Sequence, residues 1–197
     1  MTWEEYKKLL PKYSDKDLKF IETGFEFAER AHENQKRDSG ENFITHPIEV
    51  SLKTAEIGLD SKAITAALLH DTVEDSPTEL KTIRKKFGDE VAFLVNALTK
   101  VNTIHLQSEE KTVESARKMF LAVSQDIRVV IIKLMDRLHN ARTLEHVPKI
   151  EKRTRIALET LEIYAPIADR LGMSVAKQEL EDAAFPYAYP KEYEKTR

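Results

Sequence analysis

The sequence predicts an all-α fold, and three observations carry that prediction. Five glycines and seven prolines in 197 residues are too few for the frequent tight turns of a hairpin-rich protein. Apolar residues recur at three- and four-residue steps along most of the chain, the period of a helix with one buried face. The one run rich in β-branched residues, Val129 to Met135, has no obvious strand partners elsewhere in the sequence.

The first clear helix runs from Asp15 to Gln35, where Leu18, Ile21, Phe25, Ala28 and His32 share a face. From Arg37 to Thr45, with Ser39-Gly40 inside it, the period breaks and a loop is expected. Pro47 suits the first turn of the next helix, where its missing N–H removes no bond. A further helix is expected over Asp60 to Glu74, through Ile64, Ala67, Leu68 and Asp71; it stops before Pro77, because proline disfavours helical geometry in the residue before it. Thr78-Glu79 opens another, through Ile83 and Phe87, that ends at Gly88. Asp89 is placed to cap its successor, which carries Val91, Leu94, Val95 and Leu98. Val129 to Met135 suits either a buried strand or a buried helix; the length of Arg128 to Leu144 and its helical neighbours favour the helix. The last long helix covers Lys149 to Leu171, with Ile156, Leu161, Ile163 and Ile167 toward the core, and Pro166 either kinks it or divides it. There is no internal repeat.

A chain of this length fits one domain, burying roughly 70% of its unfolded surface. It contains no cysteine, so disulfides and thiolate zinc sites are excluded, and any metal must be held by imidazole and carboxylate. The start, MTWEEYKKLLPKY, lacks the apolar core of a signal peptide, and no stretch approaches the roughly 18 apolar residues of a membrane span. A cytoplasmic protein with no membrane role is the expectation. A net charge of -3 argues weakly against a duplex nucleic-acid binder. A small anionic ligand remains compatible if basic side chains converge locally.

His70-Asp71 closes the apolar run Ala66-Ala67-Leu68-Leu69, and a charged doublet there is costly to bury without a partner. Glu74 and Asp75 follow four residues after His70 and Asp71, on the same face of a continuous helix. One imidazole and three carboxyls so close together repel unless a cation joins them. Asp136 follows the most apolar segment of the chain, with Asn140 one turn later on its face and Arg137 pointing elsewhere. His46 sits at a loop-to-helix junction. Two imidazoles and two carboxylates suit Mn²⁺, Fe²⁺ or Zn²⁺ and leave positions for water or substrate oxygen. His32 fits packing or support of a ligand, and His139 either orients a ligand, binds phosphate or packs. His105 and His146 read as surface residues.

The strings AHENQKRDSGENFITHP, AALLHDTVEDSPT, KKFGDEVAFLVNALTK, DIRVVIIKLMDRLHNARTL and RIALETLEIYAPIADRLGM, in that order, resemble the hydrolase domain of the long Rel/Spo alarmone synthetase-hydrolase family. The likeness spans Ala31 to Tyr193. It implies an HD-domain phosphohydrolase helical bundle that binds one Mn²⁺ and removes the 3′-pyrophosphate of guanosine tetra- or pentaphosphate, (p)ppGpp, leaving GDP or GTP. On that resemblance the metal ligands are His46, His70, Asp71 and Asp136, and the carboxylates essential for hydrolysis are Glu74 and Asp75. Arg37 packs on guanine, and Ser39, Asn140 and Thr143 complete the substrate set. The intact HDTVED string implies a competent enzyme. Asp38 departs from the family, which commonly has a basic residue there. Lys36, Lys133, Arg137, Arg142, Lys149, Lys152 and Arg153 are the candidate phosphate-binding cations. The long enzymes continue into synthetase and regulatory domains, so the last ~20 residues are expected to lead toward a synthetase domain absent from this sequence. The competing readings are an HD-type enzyme for another phosphorylated nucleotide and a non-catalytic nucleotide sensor.

Overall fold

The computed structural model describes residues 1–102 and 125–196. Among them the chain is helical without a sheet, and one isolated antiparallel bridge joins Lys36 to Asn42. His105 lies outside the described residues.

Helix α1 (Trp3–Leu9) opens on a capping box in which Thr2 and Glu5 satisfy each other's backbone N–H groups. Ser14 caps α2 (Asp15–Ala31), whose buried face is Ile21, Gly24, Phe25 and Ala28, the period read from sequence. Tyr6 of α1 is buried on α2, its ring 5.2 Å from that of Phe25, and its hydroxyl lies 2.9 Å from Ser51 Oγ of α3 (Thr45–Glu56). Asp60 caps α4 (Ser61–Leu69). Helices α2 and α4 meet at Gly24, where a Cβ would stand 2.8 Å from Thr65 Cγ2; only glycine permits that approach.

The helix expected over Asp60 to Glu74 is two helices. Helix α4 ends at Leu69 and α5 (Thr72–Asp75) begins after a break at His70-Asp71. At the break, side chains occupy helical acceptors: His70 Nδ1 lies 2.8 Å from the Ala67 carbonyl, and Thr72 Oγ1 donates to the Leu69 carbonyl at 2.7 Å. The HD doublet therefore occupies a corner rather than a helix face.

Helix α6 (Leu80–Asn102) is bent at Gly88, whose φ of 88° marks the end of the first of the two helices expected there. Helix α7 (Ile127–Arg142) removes the strand alternative for Val129–Met135. It is buried almost all round, packing on α3 and on α10 (Ser174–Ala188), so burial outweighs the small helix penalty of its β-branched residues. Arg128 ties α7 to α4 and α6, with Nη1 2.7 Å from Asp60 and 2.8 Å from Glu90.

The long helix expected over Lys149 to Leu171 runs as α8 (Ile150–Glu159), a π turn (Thr160–Tyr164) and α9 (Ala165–Arg170). The Ala165 N–H bonds to the Thr160 carbonyl, one residue beyond the α spacing. That wider turn accommodates Pro166, which lacks an N–H and whose ring would crowd the preceding turn. Ile163 and Ile167 join the main core, whereas Ile156 and Leu161 pack on a smaller cluster of Leu144, Ala157 and Ala184. Helix α11 (Pro190–Thr196) follows α10. No helix among the described residues is long and apolar enough to cross a membrane.

Candidate metal centre and pocket

Three elements deliver the centre: the start of α3 brings His46, the α4–α5 corner brings His70 and Asp71, and the middle of α7 brings Asp136. His46, His70 and Asp136 are buried and each offers a ligand atom within 4.8 Å of the others. His46 Nε2 lies 3.1 Å from Asp136 Oδ1 and 3.5 Å from Asp71 Oδ2; His70 Nε2 lies 3.1 Å from Asp71 Oδ2 and 3.9 Å from Asp136 Oδ1. Donors held about 2.1 Å from one cation stand about 3.0–3.4 Å apart, so two of these four edges already fit, the 3.5 Å edge lies just outside that range and the 3.9 Å edge is more open.

The electrostatics also fit a cation. His70 Nδ1 faces a carbonyl, which only accepts, so it carries the proton and Nε2 points at the carboxylates. His70 Nε2 is buried and aimed at the space between the acids, 3.1 Å from Asp71 Oδ2. Burial alone would lower the His70 pKa, but Asp71 and Asp136 outweigh it and raise it to about 9. His46 is pushed down by burial despite the same acids. Burial would lift the Asp136 carboxyl, yet Lys133 and the two histidines hold it well below the usual carboxylate range. A His/His/Asp cluster able to coordinate a divalent metal is thus present, and Asp71 adjoins it.

The centre opens into a cavity of about 520 Å³ that Glu74 and Asp75 also line. Burial, then the Asp71 charge, raises the Asp75 pKa. Gln35 Nε2 donates to the Asp75 carbonyl at 2.6 Å, and Gln35 Oε1 lies 2.8 Å from His32 Nδ1, with the His32 ring stacked on Phe43 at 4.6 Å. His32 is therefore buried support for the end of α5. On the opposite wall Arg37 donates to Asn140 Oδ1 at 3.1 Å and lies 3.5 Å from Thr143 Oγ1, so these three predicted residues converge. Ser39 lines the cavity while its hydroxyl contacts Glu41 at 3.3 Å. His139, half-buried, lies with Nδ1 2.9 Å from His46 Nδ1 and 3.5 Å from Arg37 Nη1. Burial, followed by the charges of His46 and Arg37, lowers its pKa to about 3.

Of the candidate cations, Lys36, Lys133, Arg137 and Lys152 line the cavity, joined by Arg155, which the sequence did not single out. Arg142 pairs with Glu179 at 3.1 Å and Arg153 holds the Val147 carbonyl at 2.7 Å. Arg137, expected to point away, faces the cavity: its guanidinium lies 4.2 Å from the Tyr164 ring centroid and 3.2 Å from Glu159. A one-residue offset turns it off the Asp136 face, but α8 and the π turn extend the cavity around α7 to meet it. Glu159 and Tyr164 carried no sequence signal. Lys133 did, as the lone charge in Val-Val-Ile-Ile-Lys-Leu-Met, three residues before Asp136. His146, read as a surface residue, is exposed but sits on the rim, and Asp38 stands 4.0 Å from Lys152 at the mouth.

A helical bundle with an HD corner between two helices and a buried His and Asp facing it defines a class: the chain belongs to the HD-domain family, whose model matches residues 24–174. Within that class it is related to the long Rel/Spo proteins, as its motifs implied. It is 50% identical over 98% of its length to guanosine-3′,5′-bis(diphosphate) 3′-pyrophosphohydrolase of Aquifex aeolicus, covering 27% of that protein. It is 48% identical over 93% of its length to GTP pyrophosphokinase of Streptomyces coelicolor, covering 22%. It is 44% identical over 97% to the bifunctional (p)ppGpp synthase/hydrolase SpoT of Escherichia coli, covering 27%. The chain thus spans about a quarter of the length of these curated relatives. A solved structure described as a metazoan ortholog of SpoT that hydrolyzes ppGpp shares the fold, with TM-score 0.64 and 24% identity over 88% of this chain and 96% of that one.

Proposed function

We propose that this chain hydrolyses the 3′-pyrophosphate of (p)ppGpp, giving GDP or GTP and pyrophosphate, with Mn²⁺ held by His46, His70, Asp71 and Asp136. One observation carries the reading: His46 and Asp136 of the buried His/His/Asp cluster, the Glu74-Asp75 pair and the Arg37–Asn140–Thr143 group all line one cavity. The Aquifex pyrophosphohydrolase, matched over 98% of this chain, supports the substrate class. The setting proposed is the cytoplasm, with synthetase and regulatory domains as companions in a full-length protein.

When bound, the cation supplies a Lewis acid that acidifies water and draws charge from phosphoryl oxygens. The protein's own groups do the rest. Arg37, tethered in its plane by Asn140 and Thr143, offers the face of its guanidinium to the guanine. Lys36, Lys152 and Arg155 toward the mouth, with Lys133 and Arg137 on the inner wall, offset the polyanion in a chain that is acidic overall. Asp75, with its raised pKa, accepts a proton from the attacking water. The water oxygen bonds to the phosphorus attached to O3′ and the O3′–P bond breaks. The ribose O3′ then takes a proton, relayed through Glu74 beside Asp75, and pyrophosphate leaves carrying the water oxygen. The two adjacent carboxyls titrate as a pair.

The test is a substrate panel of ppGpp, pppGpp, nucleoside monophosphates and NADPH, with Mn²⁺, Mg²⁺, Zn²⁺ or chelator. The expected result is pyrophosphate plus GDP or GTP, abolished by chelator. Orthophosphate release from the other nucleotides, with ppGpp untouched, overturns the proposal in favour of a different HD-type phosphohydrolase.

A further inference from the structure

We infer that His139 is a positioning residue whose single Nδ1 accepts hydrogen bonds from both His46 and Arg37, coupling the metal centre to the nucleotide pocket. The inference rests on the roles given to His46 and Arg37 in the proposed function.

With a cation between His46 Nε2 and the carboxylates, Nε2 presents its lone pair and the His46 proton lies on Nδ1. An arginine guanidinium has five N–H donors and no acceptor, and it does not deprotonate in proteins. His139 Nδ1 stands 3.5 Å from Arg37 Nη1, a long contact with a donor that favours a lone pair on that nitrogen. The same nitrogen lies 2.9 Å from His46 Nδ1, which carries the hydrogen. A neutral imidazole with a proton on Nδ1 has none on Nε2, and His46 Nε2 is the atom that faces Asp136 and Asp71. His139 thus sets the tautomer in which His46 serves as a ligand. The Ala67 carbonyl does the same for His70. Carboxylates and carbonyls are the usual partners behind metal-binding histidines. An imidazole in that place differs because it has an Arg37 contact to share.

A second path runs parallel to the first. Asn140 Oδ1 accepts from Arg37, which fixes the amide so that Nδ2 donates to Asp136 Oδ1 at 2.7 Å. Two neighbouring residues of α7, His139 and Asn140, therefore each join Arg37 to a different ligand of the centre. Asn140 can also be held by the Asp136 carboxylate alone, whereas His139 Nδ1 faces donors on both sides. The His46 ring is packed between His70 and His139, with centroids 5.1 Å and 4.8 Å away, so its orientation also depends on His139. The consequence is reciprocal: ordering His46 on a cation orders Arg37 for the base, and seating Arg37 favours the ligand tautomer of His46.

The experiment compares Mn²⁺ affinity, by calorimetry without substrate, for the wild type and His139→Leu, His139→Asn and His139→Gln, with thermal unfolding as the folding check. Asparagine can place its amide oxygen where Nδ1 stands; glutamine places it one methylene too far. His139→Leu and His139→Gln are expected to bind Mn²⁺ about 10–100-fold more weakly, with His139→Asn close to wild type. GDP affinity in chelator should fall in the same order, because Arg37 loses its seat. If the leucine variant does not fold, the asparagine–glutamine contrast decides. Equal Mn²⁺ affinity for those two overturns the inference, as does nitrogen-15 NMR showing a protonated His139 Nδ1. A wild type that binds no Mn²⁺ overturns the proposed metal site as well, a result distinct from a change confined to the variants.

Discussion

Replacing Lys133 by methionine keeps the apolar stem of a side chain that is 7% exposed and removes the ammonium bonded to Asp136, itself 3% exposed. Removing one member of a buried pair typically costs about 3–5 kcal/mol, because the other charge stays buried. Here His70 remains 3.9 Å from Asp136 and Asn140 still donates to it, which places the loss near the lower end, about 3 kcal/mol. For a chain of this size that lowers Tm by about 6–12 °C. A divalent cation at the centre brings back positive charge beside Asp136. Free Mn²⁺ at 100 times its Kd stabilises the wild type by about 2.7 kcal/mol, and it should stabilise the variant by more. Thermal unfolding in chelator and in Mn²⁺ measures both effects. A variant within about 2 °C of wild type in chelator, or equally impaired in both conditions, refutes the electrostatic account of the site.

Three other predictions address chemistry, protonation and packing. Asp75→Asn should keep Mn²⁺ and GDP affinity and lose about 10²–10⁴-fold in turnover; wild-type pyrophosphate release would remove Asp75 from catalysis. In the metal-free protein the His70 pKa of about 9 lies above the ordinary value of roughly 6.5, so its stabilising contribution is complete below about pH 6.5 and is lost as pH rises through 9. Mn²⁺ must displace that proton, so its apparent affinity should climb up to about tenfold per pH unit toward pH 9 and then level, and a flat calorimetric profile contradicts this. Alanine normally outdoes glycine in a helix by up to ~1 kcal/mol. Gly24→Ala should instead destabilise by about 1–3 kcal/mol, because its Cβ meets Thr65 Cγ2 at 2.8 Å; a gain in denaturant midpoint would refute the close-packing argument.

Apolar periodicity made the helices legible, because it records which face each one buries. It also drew α7 and the Pro166 region nearly in place, since length and neighbours outweighed β-branched propensity. The HD corner was not legible in that way. His70 and Thr72 have helix-compatible spacing, and nothing in the apolar pattern marks the break at which their side chains bond the Ala67 and Leu69 carbonyls. Three candidate metal ligands, His70, Asp71 and Asp136, could be picked out because charge at the end of an apolar run needs a partner, whereas His46 was marked only by its loop-to-helix junction; the structure gathers His46, His70 and Asp136 into one cluster, with Asp71 Oδ2 3.1 Å from His70 Nε2. What the sequence left open was the reach of long side chains across elements: Arg137 to Glu159, Lys152 toward Asp38, and Gln35 to the Asp75 carbonyl. His139 stood among three readings because its partners, His46 and Arg37, lie 93 and 102 residues away in the chain.

A single turnover of ppGpp in oxygen-18 water with saturating Mn²⁺ tests whether water attacks the 3′-pyrophosphate in a metal-dependent step. Mass spectrometry should find one heavy oxygen in pyrophosphate and none in GDP, with no reaction in chelator. Label in GDP, release of orthophosphate, or an inert protein with Mn²⁺ bound would contradict the account.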